Sequence, residues 1–185
     1  GEFLLIDCAT GSVIAERPPE EPAAANHGFM IRHPIRSSPD AERFATCGFG
    51  GFIALWDATT GEQLFAVEHE EGDFVHDLQF SPDGEVFATA SEDRTVRVWD
   101  AETAAELASL QHAGWVFCVQ FSEDGRHLLT ACEDRQARIW KWRDESIVCA
   151  TPKLSEQVYA VCFIAADQFA AGTRDGVLTI WETET

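Results

Sequence analysis

A histidine, a serine and an aspartate near the middle of the chain are the residues whose types could do chemistry. His69, Ser91 and Asp93 have the side chains of a hydrolase triad, in which histidine takes the proton of serine and the carboxylate orients the histidine. A similar set, with a thiol in place of the hydroxyl, follows at His112, Cys132 and Asp134. A nucleophile and its base do not usually recur at a fixed spacing, and buried polar groups need partners of this kind. The recurrence favours a structural role for both sets and predicts no catalytic residue.

An acidic segment and a glycine-rich segment are two further places where a ligand could bind. Residues 68–73 read Glu-His-Glu-Glu-Gly-Asp and gather oxygen atoms of the kind that hard cations prefer. No repeated spacing or helix fixes these oxygens, so a solvated acidic loop explains the segment more simply. Residues 48–51 read Gly-Phe-Gly-Gly, but they do not open a helix as a phosphate-binding loop does. The sequence therefore predicts no metal site and no cofactor.

Tryptophan marks a repeat that must position these residues. Trp56, Trp99, Trp140 and Trp181 follow one another at intervals of 43, 41 and 41 residues. The residue twelve positions before each tryptophan is large and apolar in all four units: Phe44, Phe87, Leu128 and Phe169. In the last three units an aspartate precedes the tryptophan by six positions, and Ser, Cys or Thr precedes it by eight. Not only the period but also the register inside each unit is repeated.

The segments between the tryptophans have the patterns of short β-strands joined by tight turns. Residues 95–99 alternate polar and apolar side chains, as half-buried strands do. The turns Ser-Pro-Asp-Gly at 81–84 and Ser-Glu-Asp-Gly at 122–125 place glycine where a hairpin needs a positive φ. One unit is predicted to have four strands, at 75–80, 86–91, 95–100 and 106–110. Both faces of such a sheet are apolar, so neighbouring sheets must stack on each other.

Two segments of the second full unit identify a family resemblance. Phe-Ser-Pro-Asp-Gly at 80–84 and Ala-Ser-Glu-Asp-Arg-Thr-Val-Arg-Val-Trp-Asp at 90–100 resemble the consensus of WD-repeat (WD40-type) β-propellers, in the bacterial style of these repeats. Trp-Lys at 140–141 and Trp-Glu at 181–182 are diverged versions of the name-giving Trp-Asp pair. The resemblance covers nearly the whole chain. It implies an all-β fold, a β-propeller of four-stranded antiparallel blades, with about four blades of a seven- or eight-bladed ring.

The repeat register divides the chain into six segments. Residues 1–16 resemble the last two strands of a preceding blade, and residues 17–34, with three prolines among acidic residues, are predicted to be a loop insertion. The four blades are placed at residues 35–67, 68–110, 111–150 and 151–185, and the last lacks its outer strand. Rings of this family are often closed by the N-terminal strand of the same protein. The resemblance therefore predicts the C-terminal propeller part of a larger protein.

The resemblance also gives the recurring polar residues a structural role. Members of the family carry a hydrogen-bond network from His to Ser or Thr, to Asp and to Trp. Carried onto this chain, the network comprises His69, Ser91, Asp93, Trp99, His112, Cys132, Asp134, Trp140, Thr173, Asp175 and Trp181. The match is incomplete, because Leu154 stands in place of histidine in the last unit, and Gly48 and Gly50 stand in place of the hydroxyl and the aspartate in the first. We expect these departures to weaken the terminal blades.

A partner-binding face is the remaining functional expectation from the family. It is formed by the turns between the second and third strands and by the loops that lead into the first strand. These positions are occupied by Phe49, Phe74, Glu92, Arg94, Trp115, Glu133, Arg135, Tyr159 and Arg174. Aromatic residues and arginine are enriched at interaction hot spots. Two alternatives stay open: the aromatic residues pack between blades, or the arginines pair with adjacent glutamates, an exposed contact worth only about 0–1 kcal/mol.

Charge and composition narrow the kinds of partner. With 13 Lys and Arg against 32 Asp and Glu, the formal charge is −19, which repels nucleic acid and anionic lipid and attracts basic proteins or peptides. No apolar segment is long enough to span a bilayer, and no secretory signal opens the chain. The six cysteines form no Cys-x-x-Cys pair and lie in apolar segments, which favours reduced thiols and a cytoplasmic location.

The function expected from these observations is a noncatalytic scaffold for protein–protein interaction. Two alternatives remain: a regulatory or sensor propeller attached to an enzyme such as a bacterial Ser/Thr kinase, or an enzyme with its site at the ring centre. The second alternative predicts one irregular blade with an extra ionisable residue. A partial ring would also expose two apolar blade faces, so an isolated segment is expected to aggregate or to form a homodimer.

Overall fold

The computed structural model describes residues 3–6, 13–17, 34–69 and 73–183. Within these ranges the chain forms seventeen β-strands and one short 3-10 turn, Trp142–Asp144. All strand pairs are antiparallel and join neighbours in the chain. In the described part of the chain, no helix has the length and apolarity that a membrane crossing requires. The predicted loop insertion at 17–34 falls almost entirely outside the described residues.

The strands form one two-stranded sheet and four larger ones, which we number sheets 1 to 4. The two-stranded sheet pairs β1 (Phe3–Ile6) with β2 (Val13–Arg17). Sheet 1 contains β3 (Ile35–Ser37), β4 (Arg43–Cys47), β5 (Phe52–Asp57) and β6 (Gln63–Glu68). Sheet 2 contains β7 (Val75–Phe80), β8 (Val86–Ser91), β9 (Thr95–Asp100) and β10 (Glu106–Gln111). Sheet 3 contains β11 (Val116–Phe121), β12 (His127–Cys132), β13 (Ala137–Lys141) and β14 (Ser146–Ala150). Sheet 4 contains β15 (Val158–Ala165), β16 (Gln168–Thr173) and β17 (Leu178–Glu182).

The all-β class and the blade-like antiparallel sheets confirm the predicted fold class, and the sheets do not close into a ring. The four strands predicted for sheet 2 match the observed ones, except that β10 extends one residue further to Gln111. Hairpin chemistry explains this agreement. Ser81 Oγ donates to Asp83 Oδ1 (2.5 Å) and accepts from Val86 N (3.2 Å), and Gly84 takes φ +74° between them. These bonds fix the turn between the first two strands.

Neighbouring sheets pack through complementary faces. Sheet 2 presents small and β-branched side chains, including Val96 and Val98, to the first strand of sheet 3, where Val116, Val119 and Phe121 cover them. The same arrangement joins sheets 1 and 2 and sheets 3 and 4. Each buried cluster combines side chains of two neighbouring sheets, so the core lies between the sheets. Each fully buried side chain of this size contributes roughly 1.5–3 kcal/mol.

Polar side chains on the first strands also tie each sheet to the next. Gln79 Oε1 accepts a hydrogen bond from Phe121 N at 2.5 Å, and Gln120 Oε1 accepts one from Phe163 N at 2.6 Å. On the second strand of sheet 1, Arg43 donates to the carbonyl oxygen of Ala101 (2.8 Å), the residue that follows β9 of sheet 2. These bonds satisfy main-chain groups that no strand of their own sheet reaches.

The outward face of sheet 4 has no covering sheet among the described residues. Leu178 and Ile180 occupy the positions that Val96 and Val98 hold in sheet 2, because each pair alternates on the third strand opposite β16 or β8. Their exposures are 69% and 63%, whereas Val96 and Val98 are 0% exposed. The face that is an interface in the other sheets is therefore open here.

Candidate functional site

The polar network of sheet 2 runs in one line from a tryptophan to an aspartate. Trp99 Nε1 donates to Thr89 Oγ1 at 2.9 Å, and Thr89 Oγ1 lies 2.7 Å from His69 Nε2. His69 Nδ1 lies 2.7 Å from Asp93 Oδ2. Because a carboxylate only accepts, the proton sits on Nδ1, and Nε2 accepts the hydroxyl proton of Thr89. Every polar atom of this line thus has its partner inside the blade.

Two of the residues that suggested a hydrolase do not face each other. Ser91 Oγ donates to the carbonyl oxygen of Phe74 (3.2 Å) and accepts from Asp93 N (3.2 Å), and it is not bonded to His69. Burial raises the pKa of Asp93, but hydrogen bonds from His69 and Thr95 outweigh it and hold the pKa well below its usual range. Asp93 therefore remains a hydrogen-bonded carboxylate at neutral pH. The hydroxyl that His69 does bond, that of Thr89, is fully buried and donates inside the blade.

Sheet 3 keeps only part of this network. His112 Nε2 lies 2.9 Å from Thr130 Oγ1, which also accepts from Trp140 Nε1 at 3.1 Å. His112 Nδ1 lies 2.9 Å from the carbonyl oxygen of Leu110, so the histidine does not bond Asp134. Burial lowers the pKa of His112 to about 4. The histidine is therefore neutral at physiological pH.

The thiol and carboxylate of sheet 3 have separate partners. Asp134 forms an ion pair with Arg138, with its Oδ2 at 2.5 Å from the guanidinium. Cys132 Sγ donates to the carbonyl oxygen of Gly114 at 3.3 Å, and burial raises the pKa of the thiol to about 11. A thiol with such a pKa is not a nucleophile at neutral pH.

The terminal sheets depart further from the network. In sheet 4, Thr173 Oγ1 donates to Asp175 Oδ1 at 2.5 Å, but Trp181 Nε1 donates to Thr179, a neighbour on its own strand. In sheet 1, Trp56 Nε1 donates to Thr46 Oγ1 at 3.0 Å. The predicted residues of sheet 4 are thus placed in the expected turn and strand, and no histidine joins the hydroxyl to the tryptophan among the described residues of sheets 1 and 4.

The hydroxyl that joins histidine to tryptophan was not among the residues predicted for the network. It belongs to Thr89 and Thr130, which lie ten positions before the tryptophan, whereas the prediction took Ser91 and Cys132 at eight positions. A signal was present in the sequence. The position ten before the tryptophan is Thr46, Thr89, Thr130 and, in the last unit, Ala171. Side chains two apart on a strand share a face, so spacing alone did not tell these positions apart.

The predicted partner-binding residues are brought to one end of the sheets by a repeated main-chain bond. The turn residue donates its N–H to the carbonyl of the residue before the first strand, from Glu92 to Phe74 (2.9 Å) and from Glu133 to Trp115 (2.8 Å). The corresponding bond in sheet 4 joins Arg174 to Gln157 (2.9 Å). Phe49 of sheet 1 is bridged to Phe74. Arg94 and Arg135 follow in the same turns with φ +71° and +72° and are exposed.

Tyr159 takes a different register from the one predicted. Val75, Val116 and Val158 are equivalent, since each pairs with the hydroxyl or thiol residue at the end of the second strand. Tyr159 therefore follows the first strand residue, whereas Phe74 and Trp115 precede it. The loops before β11 and β15 differ in length, and a loop without periodicity gave no means of aligning these aromatic residues.

A row of four rings crosses sheets 2, 3 and 4 at this end. Phe74 and His76 have ring centroids 5.1 Å apart, His76 and Phe117 are 5.1 Å apart, and Phe117 and Tyr159 are 4.5 Å apart. We call Phe74, His76, Phe117 and Tyr159 the ring row. His76 and Phe117 were not predicted as site residues, because they stand at ordinary alternating positions of a strand. Pairs at these distances stabilise each other by roughly 0.5–1.5 kcal/mol beyond their burial.

Carboxylates lie beside the ring row. Glu133 Oε2 accepts from Trp115 N at 3.3 Å and its Oε1 accepts from Gln157 Nε2 at 3.1 Å. Glu92 Oε1 lies 3.1 Å from His76 Nε2. Burial raises the pKa of Glu92, and repulsion from Asp73 and Glu133 raises it further. The end of sheets 2 and 3 is therefore both aromatic and acidic.

An ion pair lies on the first strands of sheets 1 and 2. Arg36 Nη2 is 3.1 Å from Asp77 Oδ1, and Asp77 Oδ2 accepts from Val119 N at 3.2 Å. Burial raises the pKa of Asp77, although the bonds from Val119 and Arg36 oppose the shift. Arg36 stands where sheets 2 and 3 have Gln79 and Gln120, so the first unit does contain one extra charged residue. The carboxylate of Asp77 compensates the positive charge of Arg36 in this ion pair.

The described residues form no metal-binding cluster, and their cysteines are unpaired by disulfides. No group of three or more His, Cys, Asp or Glu residues that could hold a metal ion occurs within residues 34–69 and 73–183. The acidic segment at 68–73 is described only at its two ends, so its interior lies outside the described residues. The five described cysteines are free thiols.

Comparison with known families gives one match. The WD40 family model (WD domain, G-beta repeat) matches residues 61–100 and 105–141. Each matched segment contains the last strand of one sheet and the first three strands of the next, β6–β9 and β10–β13. A search of the curated proteins finds no match. WD40 repeats generally mediate protein–protein interaction, and their domains are typically non-catalytic. Two segments of the chain therefore match the WD40 repeat, which is consistent with a WD-repeat family.

Proposed function

We propose that this protein is a noncatalytic scaffold that holds protein or peptide partners on the end of the sheets that carries the ring row. The observation that carries the proposal is the continuity of that row across three neighbouring sheets. Trp115 and Tyr159 at this end are each 42% exposed, and Phe49 is 54% exposed. Aromatic side chains that are held by neighbours and still reach solvent are the residue type that dominates binding energy at protein interfaces.

The noncatalytic part of the proposal is supported by the partners of the reactive side chains. Ser91 is turned to the carbonyl of Phe74, and Cys132 is buried against that of Gly114. Neither is activated by a histidine, because His69 and His112 bond Thr89 and Thr130 instead, whose hydroxyls are fully buried and closed to a substrate. An activated nucleophile needs a base within hydrogen-bond reach.

A selection from a displayed random peptide library on the immobilised protein tests the proposal. Peptides should be enriched, and the double variant Trp115→Ala/Tyr159→Ala should weaken their binding by about thirtyfold, the loss expected for removal of about 2 kcal/mol at a hot spot. The matched control is Leu107→Ala/Ile147→Ala, which removes two similarly exposed apolar side chains from outer strands. Equal loss in both variants, or no loss in either, contradicts this location of the binding face.

A further inference from the structure

We propose that the binding face receives an arginine side chain of the partner, between the exposed rings of Trp115 and Tyr159 and the carboxylates of Glu92 and Glu133. This inference rests on the proposed function and adds the chemistry of the group that is recognised. It follows from three observations: the stacking surface, the uncompensated carboxylates and the fixed position of Glu133.

The stacking surface is rigid on one side and open on the other. Phe117 lies between His76 and Tyr159, with centroid distances of 5.1 and 4.5 Å, so Tyr159 is supported from behind. Tyr159 OH donates to Gln157 Oε1 at 3.2 Å, which fixes the direction of the phenol. Trp115 is held by its main-chain bond to Glu133 and remains exposed. A planar cation can lie over such rings with little loss of side-chain freedom on the protein.

The carboxylates beside these rings lack a cation. Asp73 and Glu133 lie close enough to Glu92 to raise its pKa by repulsion, after the larger effect of burial. Burial also lowers the pKa of the adjacent His76 to about 4, so the imidazole is neutral at physiological pH. Within the described residues, no Lys or Arg forms an ion pair with Asp73, Glu92 or Glu133. A positive group from a partner removes the repulsion that these carboxylates impose on one another.

Glu133 is oriented for such a group. Its Oε2 accepts a hydrogen bond from Trp115 N, and its Oε1 accepts one from Gln157 Nε2. A carboxylate has about four acceptor sites, so these two bonds leave about half of them. The remaining acceptor sites suit the paired N–H groups of a guanidinium, which stacks on aromatic rings with the same flat surface. A lysine ammonium offers a point charge and no plane, so arginine fits this combination of carboxylate and ring better.

The test uses four fluorescein-labelled nonapeptides that differ only at the central residue, X in Gly-Ser-Ala-Ala-X-Ala-Ala-Ser-Gly, with X as Arg, Lys, citrulline or Glu. Citrulline has nearly the shape of arginine without its charge. Fluorescence anisotropy should show the Arg peptide binding about tenfold more tightly than the citrulline peptide, as expected for a cation held against aromatic rings. Raising the salt from about 20 to about 200 mM should reduce this advantage.

Two variants separate this role from a merely structural one. Glu133→Gln should bring the ratio of Arg to citrulline binding close to one while binding of the citrulline peptide persists, which a misfolded protein cannot do. Glu123→Gln, an exposed glutamate in the turn between β11 and β12, should leave the ratio unchanged. Equal binding of the Arg and citrulline peptides, tighter binding of the Lys peptide, or no binding of any of the four overturns the inference. The library selection judges the proposed function separately, since it enriches binders of any charge.

Discussion

Thr89 has a larger structural role than its small side chain suggests. Its hydroxyl is the one atom that links Trp99 to His69, and it is buried with both of them. Thr130 has the same position between Trp140 and His112 in sheet 3. A buried donor or acceptor that loses its partner costs about 1–3 kcal/mol, and each of these hydroxyls serves two such groups.

We expect Thr89→Ala to lower the free energy of unfolding by about 3 kcal/mol, because Trp99 Nε1 and one ring nitrogen of His69 are left without partners. Thr89→Ser keeps the hydroxyl and should recover most of this loss. Urea denaturation measures both variants. Ser91→Ala is the comparison, since the serine serves only the carbonyl of Phe74 and the N–H of Asp93. A larger effect at Ser91 than at Thr89 would favour the network as it was predicted from the sequence.

The pH dependence of stability follows from His112. Its pKa is lowered to about 4 in the folded protein, whereas an exposed histidine titrates near 6.5. Between these values the unfolded chain binds the extra proton, so stability is full above about pH 6.5 and falls as the pH drops toward 4. The shift corresponds to about 3 kcal/mol at most.

His112→Gln should flatten this part of the stability curve, because an amide can still bond Thr130 and Leu110 and does not titrate in this range. Urea denaturation of both proteins at intervals from pH 7.5 to 4.5 gives the difference. The histidine at His76 has a similarly lowered pKa, so some slope should remain in the variant. An unchanged slope shows that His112 does not contribute.

At the scale of the strands, one turn conformation is built with different residues in different sheets. The hairpins of sheets 2 and 3 place Gly84 and Gly125 at φ +74° and +69°. In sheet 1 the corresponding Ser-Pro-Asp turn places Ala41 at φ +60°. An alanine in this left-handed region is strained by roughly 1 kcal/mol, whereas glycine is not.

Ala41→Gly should therefore stabilise the protein, and Gly125→Ala should destabilise it, each by about 1 kcal/mol. The added methyl group of Gly125→Ala causes no steric clash, since its Cβ would lie 3.6 Å from the nearest atom, Pro82 Cδ. Thermal unfolding of the two variants, compared with the original protein, gives the signs. Changes of the same sign in both variants would exclude the turn strain as the cause.

The strands of the repeat could be predicted because their chemistry is local. The Ser-Pro-Asp-Gly turn, the alternating residues and the tryptophan fix the ends of β7, β8 and β9 to the residue. The alignment of loops could not be predicted in this way, and Tyr159 was placed in the wrong register for that reason. The ring row was also missed, since Phe117 and His76 meet only when two sheets pack side by side.

At the scale of the whole molecule, we expect the open face of sheet 4 to promote association of the protein in solution. Leu178 and Ile180 are exposed at positions that are covered in the preceding sheets. An apolar face of this kind favours association. The double variant Leu178→Gln/Ile180→Gln should therefore lower the average molar mass measured by light scattering.

The variant Leu107→Gln/Ile147→Gln is matched in chemistry and exposure and should leave the molar mass as it is. Association that persists in the sheet 4 variant to the same degree as in this control places the contact elsewhere. Loss of a cooperative thermal transition, measured by circular dichroism, identifies a variant that has simply unfolded.

The bonds that Gln79 and Gln120 make to the following sheet have a consequence for how such arrays evolve. Both glutamines accept from a main-chain N–H, that of Phe121 or Phe163, and so they recognise no particular side chain there. Every non-proline residue offers the same donor. A duplicated copy of sheet 2 or sheet 3 inserted after either of them thus finds a glutamine acceptor on one side and supplies one on the other. An array of such units can gain, lose or exchange units by recombination without a new set of hydrogen bonds between sheets for each arrangement.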